Sequence, residues 1–272
     1  MPRPNETSML HWVDDLLATG HYAFTPEIWQ REHPEHSDIA VKRALSRLSA
    51  NGKVVSLHKG YYLIIPPQHS HKGMLPPPLF LDAFMKHLQR PYYLALLNAA
   101  AFHGASHQQP QEHFVMTDFP VLRPTLKKGV KINYISIKEF PPSLIETRAT
   151  EAGYLRISNA ALTAADVIQF EKRVGGLNRA SVVLRELAEV LQPADFNATF
   201  LHHVHGTTLQ RLGYLLEKVC GCEALADALF EGMKRERFRL FRIPLKTAIS
   251  AKSYTSGNRW NVVVNLDIDP DP

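Results

Sequence analysis

The sequence predicts an α+β chain in which a small N-terminal winged helix-turn-helix precedes a larger mixed α/β domain. Residues 7–65 run in the order helix, helix, helix, hairpin. A proline-rich stretch at 66–78 then interrupts every regular pattern, and beyond it β-rich runs are split around a block of helical periodicity. A length of 272 residues suits about two domains. With 45% hydrophobic and 21% charged residues, each part can bury a core, which excludes a disordered chain, a collagen-like fibre and a disulfide-stapled mini-protein.

In the first part, Leu10, Val13, Leu16 and Leu17 share one stripe of a helix at 7–18, and Gly20 stops it. Thr25 supplies a capping side chain before Pro26, a residue suited to the first helical position, so a short helix runs to about Glu32. Ser37 caps a third helix at 38–50, which Asn51-Gly52 ends. The β-rich runs 53–57 and 61–65 flank His58-Lys59-Gly60 and read as a hairpin. On the third helix, Val41, Ala44, Leu45 and Leu48 form an apolar stripe. Lys42, Arg43, Ser46 and Arg47 lie opposite, together with Ile39 and Ala50.

Residues 66–78 hold five of the nineteen prolines. Such a segment cannot continue a helix or a central strand and tends to extended, polyproline-like geometry. The expected division is therefore 1–65, a linker at 66–78, and 79–272. In the last part helices are expected at 79–88 and at 92–103, the second opened by Pro91 and closed by Gly104. Strands are expected at 113–116, 130–137 and 154–157, and Thr163 is placed to cap a helix reaching about Glu171. Helical patterns continue at 179–191, 194–204, 207–219 and 223–234, and strand-like sequence returns at 238–243 and 261–266. No order of strands in a sheet follows from this pattern.

The formal charge is +5, but its distribution says more than its sum. Residues 1–38 hold two bases and seven acids, whereas 39–65 hold Lys42, Arg43, Arg47, Lys53 and Lys59 and no acid. A helix face with three long cations and no carboxylate after Asp38 suits a DNA major groove. Arginine pairs bidentately with guanine edges, and an apolar side chain meets a thymine methyl. Lys53, His58 and Lys59 would contact phosphate, giving affinity without reading sequence. The DNA-binding set is thus Ile39, Lys42, Arg43, Ser46, Arg47, Asn51, Lys53, His58 and Lys59. Winged helices also serve as protein-interaction modules, and the acid-free face is what favours DNA here.

A second concentration of charge lies at 234–259, where eight bases face only Glu236. Lys234, Arg235, Arg237, Arg239 and Arg242, with Lys127, Lys128 and Lys131, are candidates for a second basic surface. It would contact DNA, or an RNA or nucleotide; the other reading is a solvated rim.

Catalytic patterns fare poorly. A restriction-type nuclease needs an acid and then an acid-x-lysine to hold a divalent ion through oxygen ligands. Asp118 and Lys138 are suitably placed, but Ser136 stands where the second acid belongs. Gly175-Gly176 lacks the lysine and hydroxyl of a P-loop. His103 and His107, the group His202, His203 and His205, and the lone Cys220-Gly-Cys222 all lack companions at metal-ligand spacing. No catalytic residue, metal or cofactor is expected. The chain has no apolar run long enough to span a membrane, and its first residues lack a signal-peptide core. With two cysteines only, a reducing cytoplasm is the expected location.

Four blocks then give the chain a family likeness. They are Tyr93-Leu-Ala-Leu-Leu-Asn-Ala-Ala-Ala-Phe-His103-Gly104, Leu162-Thr-Ala-Ala-Asp166-Val-Ile, Arg211-Leu-Gly-Tyr214-Leu-Leu-Glu217 and Arg259-Trp260-Asn261-Val-Val-Val-Asn265. In this order, after a winged helix and a proline-rich segment, they resemble the AbiEi-type antitoxins of type IV toxin–antitoxin systems linked to abortive phage infection. The resemblance implies an autorepressor that binds operator DNA, with inverted repeats upstream of its own operon, through the winged helix. It also implies a C-terminal domain that counters a nucleotidyltransferase-like toxin without a stable complex.

Overall fold

The computed structural model describes residues 8–105 and 110–268. Residue 7, at the expected start of the first helix, and His107 lie outside them. Helix α1 (Met9–Ala18) is capped by Ser8, and strand β1 (Ala23–Phe24) leads into α2 (Pro26–Glu32). Thr25 precedes α2 in extended geometry, but its hydroxyl makes no capping hydrogen bond, so Pro26 rather than the cap sets that start. Ser37 does cap α3 (Asp38–Ala50), its Oγ accepting from the Ala40 N–H at 3.3 Å. Strands β2 (Val54–His58) and β3 (Tyr61–Ile64) form the hairpin, and β1 adds to β3, giving the order β1-β3-β2.

The hairpin alternates as strand geometry requires. Val54 and Ile64 face the three helices, sharing a core with Trp12, Val13, Trp29, Val41, Leu45 and Leu48. Leu57, Tyr61, Leu63 and Ile65 face the opposite way, into the core of the larger part. The Tyr61 ring stands 5.2 Å from Phe84 and 4.7 Å from His87 of helix α4 (Leu81–His87). One hairpin thus serves two cores.

The expected extended linker at 66–78 is instead packed against this second core. Short 3-10 turns form at Pro67–His69 and Pro77–Leu79, and Met74 and Leu75 between them are buried. Prolines bar an α-helix there, but they do not prevent the two apolar side chains from anchoring the segment.

A six-stranded mixed sheet forms the centre. Its strands are β4 (Tyr92–Leu94), β5 (Glu112–Thr117), β6 (Thr125–Lys127), β7 (Val130–Ser136), β8 (Ile145–Thr150) and β9 (Gly153–Ser158), in the order β6-β7-β5-β4-β9-β8. Tyr92 to Leu94 was expected to open a helix and is instead an interior strand. A run apolar at every position cannot distinguish a buried strand from a buried helix by period. Both faces of that strand are covered, and the chain then turns at Leu96, with φ of +56°, into α5 (Leu96–Phe102). Tyr92, Leu94, Val115, Ile132 and Tyr134 face α4 and the hairpin, whereas Tyr93, Phe114, Met116 and Ile135 face the helical layer.

That layer comprises α6 (Ala160–Gln169), α7 (Leu177–Ala188), α8 (Ala198–His203), α9 (Gly206–Lys218) and α10 (Glu223–Arg235). Asn159, not Thr163, caps α6, accepting from the Leu162 N–H at 2.9 Å. Thr163 lies one turn inside, where its hydroxyl bonds back to the Asn159 carbonyl at 2.8 Å. The expected strands at 238–243 and 261–266 shrink to β10 (Ile243–Pro244) and β11 (Val262–Val263), a parallel pair beside α9.

Candidate nucleic-acid interface

Helix α3 is set by aromatic packing beneath it. Trp12 meets Trp29 edge to face at 5.3 Å, and Trp29 stacks on His33 and His36 in the turn before α3. Trp12 Nε1 also donates to Glu32 Oε2 at 2.7 Å, closing α1 on the end of α2. With Val41, Leu45 and Leu48 buried, the outer face is fixed, and Ile39, Lys42, Arg43, Ser46 and Arg47 are all exposed. Ile39 is 64% exposed, an unusual cost for an isoleucine and the geometry a base-methyl contact needs. Asp38, the acid nearest this face, is engaged by Gln30, whose Nε2 donates to Oδ1 at 2.5 Å.

Asn51, Lys53, His58 and Lys59 are exposed too. Lys53, however, stands 3.9 Å from Asp14 of α1, so part of its charge is answered within the protein.

The second basic set is carried by separate elements, the β6–β7 hairpin on one hand and the end of α10 with the segment after it on the other. Lys127 and Lys128 sit at the β6–β7 turn, and Lys127 with Arg123 lines a groove of about 530 Å³ that Leu57 and His58 of the hairpin also line. Lys131 pairs with Glu112 at 2.9 Å. Of the remaining residues, Lys234 and Arg235 end α10, which packs on α8 and α9 in the helical layer, and Arg237, Arg239 and Arg242 follow it. Lys234 pairs with Glu231 at 2.8 Å, and Arg242 donates to the carbonyls of Ala251 and Tyr254, pinning a loop. Further along, Lys246 pairs with Glu171 at 2.7 Å, and Arg259 pairs with Glu217 and Asp227 at 2.5 and 2.6 Å. Arg235, Arg237 and Arg239 are exposed. Of the eight cations in the 234–259 run, three are thus in ion pairs within the protein and a fourth, Arg242, holds backbone carbonyls. Arg123 near the hairpin was missed by charge counting because it stands alone in sequence.

Asp118, the first acid of the nuclease pattern, is held by Arg90 at 2.9 Å. Among the described residues, no group of three or more His, Cys, Asp or Glu side chains is placed to hold a metal ion. His103 donates from Nε2 to the Ser158 carbonyl at 2.8 Å, tying the end of α5 to β9. Burial pushes the Cys220 thiol up to about 12, and both cysteines are free. No described helix is long and apolar enough to cross a membrane.

The four sequence blocks meet in space. Tyr93 of β4 donates from its hydroxyl to Asp166 of α6 at 3.2 Å, and burial raises that carboxyl to about 8. Arg211 donates to the Pro244 carbonyl at 3.0 Å. Glu217 accepts from both Trp260 Nε1, at 2.8 Å, and Arg259 Nε. The fully buried Trp260 ring lies directly against Gly213, where any Cβ would overlap it. These residues lock β4 to α6 and the C-terminal segment to α9; they build the domain rather than line an open site.

The crystal structure of RV2827C protein from Mycobacterium tuberculosis is similar over 96% of this chain and 92% of its own, with a TM-score of 0.68. At 20% sequence identity that likeness is one of fold. No curated protein matches the chain. Residues 93–218 match the family model of the AbiEi antitoxin C-terminal domain, a span that takes in the blocks at Tyr93, Asp166 and Arg211. That span carries an AbiEi antitoxin C-terminal domain, which supports an antitoxin role and implies a cognate toxin.

Proposed function

We propose that this antitoxin is also a DNA-binding autorepressor, and that residues 1–65 act as a winged helix-turn-helix. In this reading 66–78 joins that unit to the antitoxin domain at 79–272. The observation that carries it is the outer face of α3, where Ile39, Lys42, Arg43, Ser46 and Arg47 are exposed and no carboxylate follows Asp38. Such a face suits entry into the major groove, because a carboxylate facing the DNA backbone would repel phosphate. Arg43 and Arg47 read base edges, while Lys42, Lys59 and His58 hold phosphates. Lys53 contributes less than the others, since Asp14 competes for it.

The partner of the antitoxin domain is a nucleotidyltransferase-like toxin, and the complex with it need not be stable. No catalytic residue is assigned. The test is a band-shift titration with the DNA upstream of the protein's own gene. With about five phosphates neutralised, the log–log slope of affinity against salt should be about −4 to −5. Absence of any shift at low salt contradicts the reading.

A further inference from the structure

We propose that the cleft between the 66–78 segment, α5 and the β6–β7 turn binds a small organic anion with a flat apolar body, the build of a nucleoside phosphate. The cleft encloses about 600 Å³, within the usual range for small-ligand sites. Its lining includes the buried apolar side chains of Leu75 and Leu94. The rings of Pro76, Pro77 and Pro78 and of Phe102, 38% exposed, also line it. Such surfaces take a planar group by stacking and exclude water from it.

The polar groups at this cleft are cationic or neutral donors. Lys72 and Lys128 line it, both exposed and without a carboxylate partner among the described residues. Lys128 stands at φ +45°, a left-handed conformation that lysine rarely adopts, so the turn holds it where a relaxed backbone would not. His113 also lines the cleft, and burial lowers it to about 4, so the imidazole is neutral at pH 7. Asn98 Nδ2 donates to His113 Nδ1 at 3.1 Å, which leaves the Nε2–H as a donor. Asn98 itself is fully engaged, giving its second amide proton to the Glu112 carbonyl and accepting from the Phe114 N–H. Two cations and a neutral N–H donor around an apolar slot complement a flat anion. A cation would be repelled, and a purely apolar ligand would leave both lysines unanswered.

The proposal does not depend on DNA binding, because occupancy is read directly. Isothermal titration of the full chain with AMP, GMP, CMP and UMP, and separately with inorganic phosphate, tests it. At least one nucleotide should bind with one-to-one stoichiometry, and phosphate alone should not. Lys72→Glu with Lys128→Glu should weaken binding about tenfold, and by no less than threefold. Ala101→Trp, which sets an indole in the mouth of the cleft from an exposed position, should do the same. Circular dichroism and the melting temperature establish that each variant folds; the double lysine variant changes only exposed, unpartnered groups. The proposal is overturned if no nucleotide binds, if phosphate binds as well as the nucleotide, or if either folded variant loses less than threefold.

Discussion

Replacing Asp166 with asparagine should stabilise the protein at neutral pH and change little in acid. Asp166 is 6% exposed between β4 and α6, and burial raises its carboxyl to about 8 from an ordinary value of 3.8. Between those two values the unfolded chain releases the proton and the folded chain keeps it. The stability tied to this group is therefore fully present below about pH 4 and is lost as pH rises toward 8. Each pH unit in that window costs about 1.4 kcal/mol. Asparagine does not titrate and keeps an oxygen to accept from the Tyr93 hydroxyl, so the variant escapes this loss. From pH 5 to pH 7 the advantage of Asp166→Asn over the parent should grow by about 3 kcal/mol. Urea denaturation of both proteins at pH 5, 6 and 7 reads this directly. A difference that stays constant across those three values would refute the claim that the folded protein holds Asp166 protonated.

Gly213→Ala should destabilise by about 3 kcal/mol, since the new methyl must displace the buried Trp260 ring; an unchanged melting temperature contradicts that packing. Lys246→Ala strips the partner from the buried Glu171 carboxylate and should cost about 2 kcal/mol in urea denaturation, whereas a neutral outcome would mean that solvent already serves Glu171. His113 should stay neutral down to about pH 4, and an NMR titration midpoint near 6.5 contradicts its burial. Because its folded value lies below the ordinary 6.5, the stability it contributes is present above that pH and falls away as pH drops toward 4.

Where local chemistry decides an element, the sequence was legible. Ser37, Asn51-Gly52 and the 100° spacing of Val41, Leu45 and Leu48 set α3 within its observed bounds, and with it the exposed face on which the proposed function rests. Where tertiary burial decides, it was not. Tyr92 to Leu94 is apolar at every position, so only the neighbours β5 and β9 make it a strand. Polar β8, Ile145–Thr150, offers no apolar alternation and exists because β9 pairs with it at the sheet edge. The same limit applies to charge. Lys246 and Arg259 looked like solvent-facing cations until Glu171, 75 residues away, and Glu217, 42 residues away, were seen beside them. Met74 and Leu75 sit among prolines that suggested a free linker, yet the cleft they help form was invisible without the fold.

The central claim is that one chain joins an antitoxin domain to a DNA-reading helix α3. Arg43→Ala with Arg47→Ala tests it most directly, assayed by band shift on the upstream DNA and by rescue of cells expressing the cognate toxin. Losing base contacts worth about 1–3 kcal/mol each should abolish the specific shift, while rescue, carried by the other domain, persists. A shift of parental affinity from a folded double variant would contradict the account.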